Sequence, residues 1–181
     1  KILNDKFKNK IKIIHNDILN ITEDFYKDNF IIFGNLPYNI STKILANWCL
    51  SKDIKFKKLI LMFQKEVADR IIAKENTKEY SRITILANWK FKVKKAFDIN
   101  PDCFYPKPKI KSSLLEFTPK KNIFEIQNPN NIEHVTRIFF NQRRKMIKKR
   151  FVGIFKNFNY VAQKMNIKLT DRPQSISVNK F

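Results

Sequence analysis

Phe30-Ile31-Ile32-Phe33-Gly34-Asn35-Leu36-Pro37-Tyr38-Asn39-Ile40-Ser41-Thr42 is the stretch on which the fold of this 181-residue chain turns. The apolar run Phe30 to Phe33 predicts a strand covered on both faces by helices. Asn35-Leu36-Pro37-Tyr38 ends that strand, because Pro37 has no amide hydrogen to give a ladder. Ser41 or Thr42 then caps a helix through Leu50. Strand, polar turn and helix in this order are one half of a parallel α/β unit. The turn also carries chemical possibilities. The Asn35 side chain and a backbone carbonyl can accept hydrogen bonds from an amino group, and Tyr38 offers a flat face to a ring. The plain alternative is a turn that only stops the strand.

Outward from this stretch the same alternation continues. Ile11 to His15 reads as a strand that delivers Asp17 at its carboxyl end, with a turn and short helix from Asn20 to Lys27. Lys58 to Phe63 is a third strand, and Gln64 to Lys74 a helix with Val67, Ile71 and Ile72 inward. Tyr80 to Asn88 is another helix. In Trp89 to Ile99, Phe91, Val93 and Phe97 alternate with lysines, which predicts a strand, and Ser113 to Phe117 predicts the last one. The fold class is therefore α/β, with a parallel sheet and a final antiparallel edge pair. Beyond the polar connector Pro119 to Pro129 the periodicity is helical, through Ile132, Val135, Ile138 and Phe139, then Met146, Ile147 and Phe151. This divides the chain into residues 1–121 and a small all-α domain, 122–181, with the boundary near Asn122.

Composition narrows the partners. Apolar residues make up 43% of the chain, enough for a core and too many for global disorder. Thirty-seven Lys and Arg stand against 16 Asp and Glu, a formal charge of +21, which favours a nucleic-acid partner. The region from Asn122 holds 12 basic residues and three acidic ones, so it is the more one-sided of the two. No apolar run reaches membrane-spanning length and no secretory signal is visible. Cys49 and Cys103 have no partners at metal-ligand spacing and read as reduced thiols, which suits a cytoplasmic protein without a metal. Gly34 and Gly153 are the only glycines, so no Gly-x-Gly cofactor turn exists within these residues.

Three constellations carry chemistry. Asp17 and Asn35 both fall at predicted strand ends, where open α/β sheets bind their ligands. If those strands are neighbours, both face one crevice; Asp17 is equally well read as a helix N-cap. Phe104 lies in Asp102-Cys103-Phe104-Tyr105-Pro106-Lys107-Pro108-Lys109, where two prolines stiffen an extended loop. It either presents its ring to a ligand or packs inward from a surface connector. Asn141-Gln142-Arg143-Arg144-Lys145-Met146-Ile147-Lys148-Lys149-Arg150 holds six basic residues in ten. Read as a helix, it sets Arg144 and Lys148 beside Lys145 and Lys149 on adjoining faces, with Met146, Ile147 and Phe151 inward. With no acid among them, Arg143, Arg144, Lys145, Lys148, Lys149 and Arg150 are candidate phosphate contacts.

Together with Gln64-Lys65-Glu66-Val67-Ala68-Asp69-Arg70, Tyr80-Ser81-Arg82 and Phe104 to Ser113, these segments resemble, in order, the KsgA-type ribosomal RNA adenine dimethyltransferases. The Asn35–Tyr38 loop is also similar to that of the Erm-type large-subunit rRNA methylases, whereas Phe140-Asn141-Gln142-Arg143-Arg144-Lys145 looks like the KsgA type. The resemblance implies a Rossmann-like methyltransferase sheet, incomplete at its amino terminus, that uses S-adenosylmethionine. It implies dimethylation of N6 on two adjacent adenosines near the 3′ end of small-subunit rRNA, by a monomer acting on the immature small subunit. By position, Asp17 matches the acid that contacts the cofactor adenine, and Asn35 the residue near both the cofactor methionine and the target amine. Leu36, Pro37 and Tyr38 match the substrate loop, and Phe104 the aromatic residue that sandwiches the base. The family's glycine-rich cofactor loop is expected upstream of Lys1. Two other classes fit the same residues: a non-catalytic RNA-binding assembly factor, and an organellar transcription factor derived from the family.

Overall fold

The computed structural model describes residues 2–7, 10–21, 30–52, 56–121 and 126–181. After a short helix α1 (Ile2–Phe7), four strands form one sheet: β1 (Phe30–Asn35), β2 (Phe56–Gln64), β3 (Phe91–Ile99) and β4 (Ser112–Pro119). Their order is β1-β2-β4-β3. β1 runs parallel to β2, and β4 is antiparallel to both β2 and β3. The first three strands therefore end at the same edge of the sheet. There Asn35 lies opposite Met62, and Ser112 lies opposite both Gln64 and Ile99. The antiparallel pair read from the sequence is present, but β4 is inserted beside β2, so of that pair only β3 is at an edge.

Period-two burial explains which face is covered. Leu59, Leu61 and Phe63 of β2, Leu115 and Phe117 of β4 and Phe91 of β3 are fully buried. They pack with Ile44, Leu45 and Trp48 of α2 (Ser41–Leu50) and Ile85 and Leu86 of α4 (Arg82–Lys90) in one core. α3 (Lys65–Ile71) follows β2 directly and buries Ala68 and Ile71. A reciprocal pair of hydrogen bonds between Ser81 and Thr84 starts α4. The opposite face of the sheet carries the Lys58–Glu116 ion pair at 2.7 Å.

Four expectations change. Phe30, Ile31 and Phe33 are exposed, Phe33 by 74%, so β1 is not covered on both faces. Among the described residues β1 is an edge strand, and one face of the sheet carries no helix there. Among the described residues Ile11 to His15 pairs with no strand and forms none. Phe97 is exposed because the β3 register slips between Lys95 and Phe97, which breaks the in–out alternation. Ser41 is the first residue of α2 rather than its cap; its hydroxyl donates to the Tyr38 carbonyl. The short helix expected over 20–27 falls largely outside the described residues, as does the boundary near Asn122.

The last third of the chain is helical: α5 (Asn130–Phe140), α6 (Lys148–Ile154) and α7 (Phe158–Lys164). α5 is shared between two cores. Ile132 joins the sheet's core, while Phe139 packs with Ile147, Phe151, Ala162 and Ile176. Phe140 and Phe181 touch both clusters. The buried Tyr80 hydroxyl donates to the Ile176 carbonyl at 2.9 Å, and burial raises its pKa. The carboxyl-terminal segment is thereby pinned to the α/β layer.

Gly34 sits opposite Leu61 in the β1–β2 ladder. A Cβ there would lie 2.8 Å from Leu61 Cδ2 and 3.1 Å from Leu36 Cδ2, both on buried side chains. Gly34→Ala is therefore expected to destabilise the fold by about 1–3 kcal/mol through overpacking. A urea midpoint equal to that of the parent protein would show that Leu36 and Leu61 yield without cost.

Candidate active site

The strand ends place two loops against each other. The first leaves β1 at Asn35, whose side chain is exposed. Leu36 turns into the core and anchors the loop. The Pro37 carbonyl accepts from the Ile40 amide at 3.2 Å, closing a turn that leads into α2. Tyr38 is half-buried and held at both ends. Its carbonyl accepts from the Ser41 hydroxyl at 3.1 Å, and its phenol is 2.8 Å from the buried Ser112 hydroxyl.

The second loop joins β3 to β4. Pro101–Cys103 forms a single 3₁₀ turn, and the Phe104 amide donates to the Pro101 carbonyl at 3.1 Å. This leaves Phe104 half-buried and Tyr105 fully exposed. Lys107 forms an ion pair with Asp102 across the loop. The Tyr105–Pro106 peptide is cis.

Between the loops lies an open cleft of about 370 Å³. Asn35, Leu36, Pro37 and Tyr38 line one side of it, and Phe104, Tyr105, Pro106 and Pro108 the other. Two residues 66 positions apart, Tyr38 and Phe104, thus wall one space. Met62 also lines it, on β2 opposite Asn35. Sequence reading missed Met62, since nothing distinguishes the penultimate apolar residue of a strand from core. It missed Ser112 as well, because a serine at a strand start does not announce a partner in a distant loop. None of the residues lining the cleft is charged, in a chain of net charge +21.

Next to Ser112 in β4, Ser113 donates to Asp98 at 2.6 Å, and Lys95 pairs with the same carboxylate at 3.2 Å. The Ser113 hydrogen bond, then Lys95, holds the Asp98 carboxyl below its ordinary range. Asp17 is not part of the cleft wall. It is exposed, and its carboxylate accepts from the Leu19 amide at 2.9 Å, capping the 3₁₀ turn Ile18–Asn20. Cys49 is buried in the core, where desolvation pushes its thiol up to about 12, so it stays protonated. No helix among the described residues is long and apolar enough to cross a membrane.

The basic segment is not one helix. Residues 141–147 form turns between α5 and α6. The Ile147 and Lys148 amides donate to the Asp171 and Leu169 carbonyls at 2.9 and 3.1 Å, instead of continuing an α-helical ladder. A new helix therefore begins at Lys148. Ile147 and Phe151 are buried as expected, but Met146 is 59% exposed. Arg143 donates to the Lys78 carbonyl at 2.6 Å, and Arg150 donates to the Met146 carbonyl and to Gln142. Arg144, Lys145, Lys148 and Lys149 all stand in solvent.

Residues 1–181 match the family model described as Ribosomal RNA adenine dimethylase. A relative from Pelagibacter ubique, Ribosomal RNA small subunit methyltransferase A, is 53% identical over 99% of this chain and 70% of its own length. A protein of the same name from Borreliella burgdorferi is 38% identical over 100% of this chain and 64% of its own length. The chain thus spans about two thirds of these curated relatives. Among solved structures, a dimethyladenosine transferase from Plasmodium falciparum superposes with a TM-score of 0.77 at 25% identity, covering 94% of this chain and 70% of that one. The 23S rRNA methyltransferase ErmE shares the fold, with a TM-score of 0.66 at 17% identity over 99% of this chain and 73% of that one.

Proposed function

The chain belongs to the ribosomal RNA adenine dimethylase family, and on that premise we propose that it dimethylates N6 of two adjacent adenosines near the 3′ end of small-subunit rRNA. The methyl donor is S-adenosylmethionine, the substrate is the immature small subunit, and the enzyme works as a cytoplasmic monomer. The observation that carries this reading is the cleft in which the Asn35–Tyr38 loop and Phe104 face each other at the carboxyl ends of the strands.

The cleft suits a sulfonium donor. A positively charged sulfur is favoured by amide oxygens and aromatic faces and opposed by Lys or Arg; the lining offers the former and lacks the latter. S-adenosylmethionine would supply an electrophilic methyl group, its sulfur keeping the electron pair of the broken sulfur–methyl bond and leaving as the neutral thioether S-adenosylhomocysteine. Asn35 would stand near the donor's reactive end, whereas Asp17, matched to the adenine end, is not among the residues lining this cleft.

The protein's task is to make an aryl amine nucleophilic. The lone pair of adenine N6 is delocalised into the ring. The Asn35 side-chain oxygen and the Leu36 carbonyl each accept one N–H, drawing the amine out of the ring plane and localising the pair. Pro37 stiffens the loop so that the two acceptors converge. Tyr38 and Phe104 stack on the extruded base, an interaction worth ~1–3 kcal/mol per base. No base is needed before attack, because the amine proton becomes acidic only once the new N–C bond forms. It then leaves to solvent through the open cleft. After the first transfer a single N–H remains, so the second round uses one acceptor. Positioning and electrostatics carry both rounds.

Deleting the gene is expected to remove dimethyladenosine from small-subunit rRNA, read by primer extension or mass spectrometry. If the modification persisted unchanged in that strain, the enzymatic reading would fall and the non-catalytic RNA-binding reading would take its place.

A further inference from the structure

Ser112 is the first residue of β4, and its backbone lies opposite Gln64 of β2 and Ile99 of β3. It therefore closes the loop that carries Phe104. Its side chain is fully buried, and its hydroxyl meets the Tyr38 phenol at 2.8 Å. The neighbouring Ser113, also buried, turns its hydroxyl to Asp98 instead. The two serines are thus not interchangeable: one secures β3 against β4, and the other reaches into the loop after β1. Ser112 fixes the root of one wall of the cleft through its backbone and the tip of the other through its side chain. A buried hydroxyl has few partners to choose from, so Tyr38 is held to one position.

We propose that Ser112 is a positioning residue for methyl transfer, its hydroxyl setting the separation between the Tyr38 and Phe104 walls that clamp the target adenine. This rests on the functional reading above. The tether acts on the orientation of a base already bound, so its loss should appear in kcat far more than in KM for RNA. A displacement of about 1 Å costs on the order of 100-fold in rate.

The test uses the complete protein with Ser112→Ala, Tyr38→Phe and the double variant, assayed for methyl transfer to small-subunit rRNA. Each single change is expected to lower kcat roughly 10- to 100-fold, with KM for RNA within about threefold of the parent. The double variant should be no worse than the poorer single one, because both changes remove the same bond. Ser112→Thr, which keeps the hydroxyl, should restore most of the rate. Tyr38→Phe retains the ring and carries the test if Ser112→Ala does not fold.

A second readout needs no activity. In protein labelled with 3-fluorotyrosine, the Tyr38 fluorine resonance, assigned by its absence from Tyr38→Phe, should shift and broaden in Ser112→Ala. Additive losses, a loss confined to KM, or an unmoved Tyr38 resonance would each overturn the proposal. Parent protein without methyl transfer would instead overturn the functional reading, and the fluorine spectrum would still decide whether Ser112 holds Tyr38.

Discussion

Asn35→Ala is expected to lower kcat by about 10²–10³-fold while leaving RNA affinity nearly unchanged. That is the scale on which enzymes lose rate when one preorganised polar group at the reacting centre is removed. In the proposed mechanism Asn35 offers one of the two acceptors that localise the amine lone pair, and the Leu36 carbonyl alone would not align both N–H bonds. Its side chain is exposed at the end of β1, while its backbone pairs with Met62, so truncation removes no core contact. Stability should therefore hold, as judged by an unchanged urea midpoint. RNA binding should hold too, because no charge is lost. Single-turnover transfer at saturating RNA measures the effect directly. A large loss of RNA affinity with normal turnover would mean that Asn35 binds the substrate rather than activating it.

The second large effect concerns grip rather than chemistry. Replacing Arg144, Lys145, Lys148 and Lys149 together by Ala should weaken RNA binding steeply at low salt. It should also flatten the dependence of log K on log salt by about 0.7–0.9 per lost phosphate contact, or roughly 3 in slope if all four touch phosphate. These four stand in solvent, whereas Arg143 and Arg150 already bind protein groups. Removing the four leaves Ile147 and Phe151 in place, so α6 should keep its packing; circular dichroism checks this. A folded variant with the parent's salt slope would reduce the cluster to a solvated surface. Together the two variants separate functions: one should change kcat alone, the other affinity alone.

Which parts of this molecule were legible without coordinates follows from the range of the forces involved. The β1 stretch, α2, β2 and β4 were readable because apolar periodicity and a proline turn are local signals, and Asn35-Leu36-Pro37-Tyr38 drew its interest from amide and ring chemistry within four residues. The excess of basic charge after Asn122 needs only counting. The extended basic helix was misread at the same level. Arg144 and Lys148 have helical spacing, but the Ile147 and Lys148 amides take the carbonyls of Asp171 and Leu169 respectively, more than twenty residues away. No local pattern contains that choice.

By itself, the sequence determined the strand–turn–helix unit around Asn35, the pairing of the last two strands, the surplus of cations and the motif set that marks the family. Tertiary structure alone decided that Tyr38 and Phe104 wall one cleft, that Met62 lines it and that Ser112 ties Tyr38 down. It also decided between the two readings of Asp17, which caps its own turn and is not in the cleft wall. The reason is the strand order. Inserting β4 between β2 and β3 brings the Phe104 loop to the edge where β1 and β2 end. That order is set by which faces bury one another across the whole sheet, a balance to which no single segment of the chain has access.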